Sequence, residues 1–576
     1  MVTQHRAVDH IVDQLAGAGV NYLFGVDGAN IEDLYDAAHF NANITAILAK
    51  HEFSAAAMAD GYARGTGGLG VVMATSGGGS LNLVPGLGES YASRVPVLAL
   101  VGQPPTALDG HGSFQDTSGR NGALDAVDLF STVSLYCRRV FSPRDVVTAL
   151  PAALAAARLG GPAVLLLPKD VQQAVVPDDA TAALDEPSPC AEDPRLIARV
   201  LRRARGPVTI IAGEQVARDD ARAELEHLRA VLRARVATVP DAKDVSGSPG
   251  LGASSSLGVT GVMGHPGVAD AVRGSAVCLL VGTRLTVTAR AGLDEALASV
   301  PTISIGSAAP YPLCTHIQSW NLRVSLSRLT TALSGRNRPT GVRVPEIAPR
   351  GELKPPAHDG PGVRYADAID ALDTVLPDGV DIVVDAGNTG AAAIHRLPVR
   401  RAGRFVVALG MGGMGYSFGA GVGMAFGRNR RTVVIAGDGA FFMHGMEIHT
   451  AVQYRLPITF VLFNNNAHAM CVTREQLFYE DRYTYNRFSQ SRLGAGLAAM
   501  FPDLPSVDVD RIDQLRGALG GALSVDGPSV VCVECSADEM PPFAPFLTVK
   551  PTKSNEPHDV CADPTEEDYT DVAASA

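Results

Sequence analysis

The sequence lacks the features that would indicate a membrane-spanning, disulfide-bonded or nucleic-acid-binding protein. Its 576 residues contain no apolar stretch of membrane-spanning length, and its eight cysteines are scattered along the chain. The formal net charge of −12 argues against nucleic acid as a partner. The opening segment, MVTQHRAVDHIVDQL, predicts an amphipathic helix and not a secretory signal peptide. We therefore expect a cytoplasmic protein that acts on small molecules.

Apolar residues make up 46% of the chain and charged residues 19%, which is enough apolar content for parallel sheets that are buried on both faces. Apolar runs such as LGVVMAT, PVTIIAG and DIVVDAG alternate with helical segments, so the predicted class is α/β with doubly wound parallel sheets. Proline-rich linkers near 178–194 and 338–363 separate three units. The expected domains are 1–180, 190–340 and 360–548, followed by an acidic, mobile tail at 549–576.

Two polar turns follow apolar runs in the last unit. The triplet GDG at 437–439 follows a β-branched run, and the triplet NNN at 464–466 follows the next apolar run. Turns at the carboxyl ends of neighbouring parallel strands form the ligand-binding edge of an open α/β sheet. Asp438 offers a carboxylate and Asn465 an amide oxygen, and Mg²⁺ prefers oxygen ligands and is often shared with a diphosphate. The alternative is an ordinary strand–helix–strand unit with polar turns.

A second segment, Lys50-His51-Glu52, follows an apolar run and precedes a small-residue helix that we predict over 53–64. Taken alone, Glu52 suits a first-turn carboxylate that complements the helix dipole. Together with the GDG and NNN turns, however, this segment resembles the cofactor-binding motifs of thiamine diphosphate (ThDP) enzymes. The resemblance implies that Glu52 contacts the pyrimidine ring of the cofactor, where a carboxylate favours the tautomer that removes the thiazolium proton.

Over nearly its whole length the chain resembles the acetolactate synthase and pyruvate decarboxylase superfamily. The resemblance implies a pyrimidine-binding domain, a middle domain and a diphosphate-binding domain, in that order. In this family the cofactor lies between two subunits, so a homodimer or homotetramer is implied. The implied metal ligands are Asp438, Asn465 and the backbone oxygen of Ala467. The other implied cofactor-binding residues are Gly28, Ser76, Asn82, Gly387, Asn388, Thr389, Met414, Gly437, Gly439, Ala440, His468 and Met470.

Candidate substrate contacts lie in two further segments that resemble those of related enzymes. The segment GSFQD at 112–116 resembles a DAFQE segment in which the phenylalanine and glutamine face the substrate, so Phe114 and Gln115 are implied on the donor side. The turn FGVDGAN resembles that of acyloin-forming enzymes, which carry a histidine where Asn30 stands. Asn30 is therefore a candidate substrate contact, or else a left-handed turn residue. Met414 would prop the cofactor in a bent conformation, or else only fill core.

Two departures from the acetolactate synthases concern the acceptor. Their GxRFDDR segment supplies an arginine that holds the acceptor's carboxylate, but Thr288 stands at that position and cannot make a bidentate clamp. Where they place a tryptophan that selects the acceptor, this chain has Arg474, which suits a phosphate or a sugar hydroxyl, or is a surface arginine. With Met470 it would shape the acceptor pocket. The first arginine of the segment survives as Arg284, which leaves FAD binding in the middle domain open.

The resemblance thus implies a carboligase, dependent on ThDP and Mg²⁺, that moves an acetyl unit from pyruvate or a similar 2-oxo acid to a ketone or aldehyde. Keto-sugar nucleotides are among the implied acceptors. Three alternatives stay open: an acetolactate synthase, a simple 2-oxo acid decarboxylase, and a non-catalytic binding protein with this fold. Thr288 argues against the first. A single histidine at His111, where known decarboxylases carry a pair, argues against the second, and intact Glu52, Asp438 and Asn465 argue against the third.

Overall fold

The computed structural model describes residues 5–177, 192–246, 256–343, 350–483 and 485–549. These residues form three parallel sheets of six strands each, with helices packed on the sheet faces. The fold class expected from the sequence, three doubly wound α/β units, is confirmed. Residue 549 excepted, the predicted acidic tail lies outside the described residues. Within the described part of the chain, no helix is both long enough and apolar enough to cross a bilayer.

The first unit is a sheet whose strands pair in the order β2-β1-β3-β4-β6-β5. Strands β1 to β6 span Tyr22–Val26, Thr45–Leu48, Gly70–Ala74, Val97–Gln103, Tyr136–Arg139 and Pro162–Pro168. Helices α1 to α8 span Ala7–Gly17, Glu32–His39, Glu52–Thr66, Gly78–Leu81, Val84–Ser93, Ala126–Ser131, Pro143–Arg158 and Lys169–Gln173. Alternate residues of β4 pack into two different core clusters, so this sheet is buried on both faces.

The middle unit has the strand order β12-β11-β10-β7-β8-β9. Strands β7 to β12 span Val208–Ala212, Arg235–Thr238, Ser256–Val259, Val277–Val281, Thr302–Gly306 and Thr315–Gln318. Helices α9 to α15 span Arg195–Arg203, Gln215–Arg218, Arg222–Leu232, Gly267–Arg273, Val287–Arg290, Asp294–Ser299 and Leu322–Leu333. One continuous apolar core fills this unit.

The third unit has the order β14-β13-β15-β16-β18-β17, which repeats the arrangement of the first sheet. Strands β13 to β18 span Asp381–Val384, Phe405–Val407, Thr432–Gly437, Ile458–Asn464, Ser506–Val509 and Ser529–Glu534. Helices α16 to α24 span Tyr365–Val375, Asn388–Arg396, Tyr416–Arg428, Asp438–His444, Ile448–Gln453, Ala469–Phe478, Leu493–Met500, Ile512–Leu523 and Ala544–Thr548. Single 3₁₀ turns occur at Thr106–Leu108, Pro240–Ala242, Gly335–Asn337 and Gly445–Glu447. The first and third units are therefore two versions of one layout, as the sequence suggested.

Helices α3 and α18 bring the first and third units into direct contact. A Cβ on Gly61 would overlap the backbone of Ala420, and a Cβ on Gly423 would overlap the carbonyl of Met58. Only glycine allows the two helices to approach this closely. Helix α3 ends two residues later than predicted, because Gly67, with φ of 71°, supplies its left-handed cap.

Candidate active site

The densest group of polar turns lies at the carboxyl edge of the third sheet. β15 ends at Gly437 and α19 starts at Asp438, while the paired strand β16 ends at Asn464 and leads directly into Asn465. The two strands run parallel, so both turns open at the same edge. A hydrogen bond joins them, since the backbone N–H of Ala467 donates to Oδ2 of Asp438 at 3.1 Å.

This edge offers oxygen ligands for a hard cation. Asp438 is only 1% exposed, and no basic side chain of the described residues pairs with it. Burial raises the pKa of Asp438 to about 6. The Oδ1 atom of Asn465 is buried and takes part in no hydrogen bond. A buried carboxylate beside an unsatisfied amide oxygen is a donor set that fits Mg²⁺.

A third polar turn follows β13, which pairs with β15 on its other side. Helix α17 starts at Asn388 after Gly387, whose φ of 109° favours glycine. Asn388 donates its Nδ2 to Oγ1 of Thr473 at 3.4 Å, and its own Oδ1 is buried without a partner. Thr389 follows in the first turn, where free backbone N–H groups favour an anion. The three turns together fit a diphosphate and its metal.

Met414 lies over the first turn of α19. Its Cε is 3.2 Å from the point where a Cβ on Gly439 would stand, and Nδ1 of His468 is 2.6 Å from the same point. Gly439 is therefore enclosed by two side chains that the sequence predicted to contact the cofactor. Ala440, the next residue, is buried in α19. Met414 also packs against the core, so its role as a prop for the cofactor stays a prediction.

In the first unit, Glu52 is the first residue of α3. Its Oε2 accepts a hydrogen bond from Nδ2 of Asn82 at 3.0 Å, and a Cβ on Gly79 would lie 3.0 Å from its Oε1. No basic side chain of the described residues pairs with Glu52. Gly28 packs against Thr75, where a Cβ would come within 2.8 Å. The carboxylate of Glu52 is thus held by a neutral donor and remains able to bind a ring nitrogen.

Asn30, Ser76 and Gln115 form one hydrogen-bonded group. Nδ2 of Asn30 donates to Oγ of Ser76 at 2.7 Å, and Oγ of Ser76 donates to Oε1 of Gln115 at 3.3 Å. Gln115 has a left-handed φ of 61°, and a Cβ on Gly77 would lie 2.7 Å from its side chain. The group contains amides and a hydroxyl, none of which titrates near neutral pH. The side chain of Phe114, which is predicted to contact the substrate, is 79% exposed. Within a single chain, other residues therefore cover little of its ring.

Helix α21 follows the NNN turn and carries the residues predicted to line the acceptor pocket. Met470, Arg474 and Phe478 are four residues apart and therefore share one face. The guanidinium carbon of Arg474 lies 5.5 Å from the centre of the Phe478 ring. No carboxylate of the described residues pairs with Arg474. A guanidinium that has no carboxylate partner among the described residues is suited to an anionic or hydroxyl-rich ligand.

The middle unit contains a cavity of about 740 Å³ that also touches the first and third units. Its lining includes four arginines, at positions Arg94, Arg218, Arg284 and Arg290. Arg284 stacks on Tyr311, with its guanidinium carbon 4.4 Å from the ring centre. Thr288 lines the same cavity, and Arg474 does not. The size and positive charge of this cavity fit a phosphate-bearing cofactor such as FAD.

Apart from Arg284 in the middle unit, the predicted site residues fall into two groups, one on the first unit and one on the third. No hydrogen bond between described residues joins these two groups directly. The sequence alone does not indicate the buried side chains that hold the polar turns of the site in place. Glu447 accepts the backbone N–H groups of Lys50 and His51, at 2.7 and 3.2 Å, just before Glu52. It lies 397 residues from Lys50 along the chain, so no local pattern could have indicated it.

Comparison with protein-family models agrees with this organisation. The N-terminal thiamine pyrophosphate-binding domain model matches residues 5–123, and the central-domain model of the same enzymes matches residues 195–308. The C-terminal thiamine pyrophosphate-binding domain model matches residues 385–533. The three matches include both groups of predicted site residues and most of the residues around the middle cavity.

Curated relatives cover almost the whole chain. The large subunit of acetolactate synthase isozyme 2 of Escherichia coli is 29% identical, over 95% of this chain and 97% of its own length. The probable acetolactate synthase large subunit of Methanocaldococcus jannaschii is 27% identical, over 94% of this chain and 93% of its own. Among solved structures, a putative thiamin diphosphate-dependent enzyme from Mycobacterium smegmatis superposes with a TM-score of 0.76. At 23% identity, with 92% of this chain and 100% of that chain covered, it supports the fold.

Proposed function

Because this chain is a ThDP-dependent enzyme of the acetolactate synthase and pyruvate decarboxylase superfamily, we propose that it is a decarboxylative carboligase. It takes an acetyl unit from pyruvate or a similar 2-oxo acid and joins it to a ketone or aldehyde. When bound, ThDP supplies the electron sink that permits loss of carbon dioxide. Asp438, Asn465 and the backbone oxygen of Ala467 would hold Mg²⁺, which would neutralise charge on the cofactor's diphosphate.

One observation carries the choice of carboligation over simple decarboxylation. The group formed by Asn30, Ser76 and Gln115 contains no side chain that gives up a proton near neutral pH. Release of a free aldehyde requires protonation of the reacting carbon, and no side chain of this group is an acid that would favour that step near neutral pH. A second carbonyl compound is then the preferred partner for the donor carbon. Glu52 holds the pyrimidine ring, and Gln115 and Asn30 orient the donor.

The acceptor side rests on Arg474 and Met470 of α21. Arg474 has no carboxylate partner among the described residues, and it stands beside the ring of Phe478. This arrangement supports an acceptor with a phosphate or several hydroxyl groups, which includes keto-sugar nucleotides. With Thr288 in place of an arginine, a second molecule of pyruvate has no bidentate partner at that position.

The relatives that are named as acetolactate synthases favour a second candidate, formation of acetolactate from two molecules of pyruvate. The proposal also includes binding of FAD in the arginine-lined cavity. It further includes assembly as a homodimer or homotetramer and a cytoplasmic location. The exposed apolar side chains of α19, Phe442 and Met443, support burial of that surface between subunits.

Purified protein is incubated with ThDP, Mg²⁺ and pyruvate, with and without a panel of ketones and keto-sugar nucleotides, and products are identified by mass spectrometry. A product heavier than an acceptor by an acetaldehyde unit is the expected result. Acetolactate as the sole product would establish the second candidate, and aldehyde without a ligation product would establish a decarboxylase. No turnover of pyruvate would overturn the choice of donor.

A further inference from the structure

Glu89, on α5 of the first unit, reaches into the third unit. It is 2% exposed, and its Oε2 accepts the backbone N–H of Met411 at 2.6 Å. Its Oε1 accepts the backbone N–H of Gly410 at 3.2 Å, and a longer bond of 3.4 Å comes from Gly412 to Oε2. We propose that Glu89 is a positioning residue that holds segment 410–412 so that Met414 meets the cofactor. This inference rests on the proposed binding of ThDP.

The carboxylate of Glu89 is held in its ionised form. Burial by itself raises the pKa of Glu89, but the nearby Arg64 and the hydrogen bonds from Ser93 and the backbone outweigh burial, so the pKa is lowered. Arg64 donates at 3.2 Å and Ser93 at 2.6 Å, both to Oε1. An ionised carboxylate forms stronger hydrogen bonds to backbone N–H groups than a neutral acceptor does.

A second buried carboxylate holds the other end of the same loop. Asp385, which follows β13, accepts the backbone N–H of Gly415 at 3.0 Å through Oδ1 and that of Ser417 at 2.9 Å through Oδ2. Met414 stands between these two anchors, one from each unit, and its Cε lies against the turn at Gly439. The backbone on each side of Met414 is therefore held by a buried carboxylate.

Glu89 reaches from the first unit into the third, and a matching contact runs from the third unit into the first. Glu447 of the third unit accepts the backbone N–H groups of Lys50 and His51, immediately before Glu52. The segments that are held follow β2 and β14, which occupy equivalent positions at the edges of two sheets with the same strand order. Each unit thus holds a turn of the other that carries a predicted cofactor contact.

The test measures ThDP binding to the full-length protein by calorimetry in the presence of Mg²⁺. We expect Glu89→Gln to raise the Kd for ThDP by about tenfold, the size expected for one lost charge-assisted hydrogen bond. Ser93→Ala, which removes a donor to the same carboxylate but leaves the loop bonds, is the matched control and changes the Kd by less than about twofold. In a Met414→Ala background, Glu89→Gln adds less than about twofold, because both residues act through one loop.

An equal effect of Glu89→Gln in both backgrounds, or no effect in either, would overturn the inference. Hydrogen exchange in the cofactor-free protein gives a second readout. The amides of 410–412 exchange faster in Glu89→Gln than in Ser93→Ala, while the remaining protected amides do not change. If the parent protein does not bind ThDP, the proposed function fails. Unchanged exchange at 410–412 refutes the positioning role whatever the result for ThDP.

Discussion

Asn465 donates a hydrogen bond from Nδ2 to the phenolic oxygen of Tyr365 at 3.1 Å. The single phenolic proton of Tyr365 is directed to the backbone carbonyl of Ser536, so this oxygen can only accept from Asn465. The orientation of the amide is thereby set, with Nδ2 on Tyr365 and Oδ1 buried without a hydrogen-bond partner. A tyrosine 100 residues earlier in the chain thus determines which atom of Asn465 is presented to a metal.

Replacement of Tyr365 by phenylalanine tests this relationship. Without the phenolic oxygen, the amide of Asn465 is free to turn its Nδ2 toward the metal site. We expect Tyr365→Phe to weaken Mg²⁺ binding in the presence of ThDP by about tenfold, in the range known for partners of metal ligands. Calorimetric titration with Mg²⁺ measures the change. An unchanged affinity would show that the hydrogen bond has no part in presenting Oδ1.

Replacement of Glu52 by glutamine tests the catalytic assignment. Glutamine keeps the shape and still accepts from Asn82, but it cannot hold the charge that favours the reactive tautomer of the pyrimidine. We expect kcat to fall by about 10² to 10⁴, the range for loss of a general acid–base group. The Kd for ThDP, measured in parallel, changes far less. A Glu52→Gln enzyme with near-normal kcat would remove Glu52 from the chemistry.

Replacement of Arg474 by alanine tests the acceptor side. Loss of one hydrogen bond to a charged group costs about 1.5–3 kcal/mol, so kcat/KM for an anionic acceptor should fall by about 10- to 100-fold. A small neutral ketone, which gains nothing from the guanidinium, serves as the internal control. Equal losses for both acceptors would mean that Arg474 supports the fold of α21 and does not select the acceptor.

The junction of the middle and third units should be sensitive to acid. His265 is buried and stacks on His395 at 4.5 Å, and burial, with Arg350, His395 and Lys243 nearby, lowers the pKa of His265 to about 3. Glu352 lies 3.8 Å from its Nε2. The folded state therefore binds fewer protons than the unfolded state between pH 6.5 and pH 3. Stability that is present above pH 6.5 is lost as the pH falls.

Because of this difference in proton binding, the free energy of unfolding falls by about 2 kcal/mol through His265 as the pH is lowered from 7 to 5. In His265→Asn, the amide oxygen replaces Nδ1 as acceptor for the backbone N–H of Val259, and position 265 no longer carries a titratable group. We expect the variant to lose about 2 kcal/mol less than the parent protein over that interval. Denaturant unfolding at both pH values measures how much the free energy of unfolding changes in each protein. Equal changes in the parent and the variant would contradict the role given to His265.

The crossing of α3 and α18 should not tolerate a methyl group. A Cβ on Gly423 would overlap the carbonyl of Met58, so we expect Gly423→Ala to lower the free energy of unfolding by about 1–3 kcal/mol. Gly517, inside α23, has open space around it, and Gly517→Ala should stabilise by about 0.5–1 kcal/mol. Thermal unfolding of both variants gives the comparison. A harmless Gly423→Ala would mean that the helices are less closely packed than described.

Much of the candidate site at the carboxyl edge of the third sheet could be predicted from the sequence, because the patterns that indicate it are local. The apolar runs before Asp438 and Asn465 indicate strands, and parallel strands bring their following turns to one edge. The same reasoning placed Glu52 at the start of a helix. The α/β class and the likeness of the first and third units follow from these patterns and are confirmed by the shared strand order.

The parts that could not be predicted depend on contacts between distant segments. Glu89 binds backbone groups 321 to 323 residues away, and such a bond leaves no mark on the sequence around either end. The cavity beside Arg284 is also lined by Arg94 of the first unit. No motif of the middle unit indicates that contribution. The catalytic, cofactor-binding, metal-binding and acceptor-binding roles given to the predicted site residues stay predictions.

The most direct test of the central claim traces carbon from donor to product. The enzyme is supplied with ThDP, Mg²⁺, pyruvate labelled with ¹³C at its second carbon, and each acceptor in turn, and products are read by ¹³C NMR with Glu52→Gln as the inactive control. Carboligation releases unlabelled carbon dioxide and leaves a labelled carbonyl carbon bonded directly to a carbon of the acceptor, which is the expected result. Label that appears only in acetaldehyde, or that stays in pyruvate with every acceptor, would contradict it.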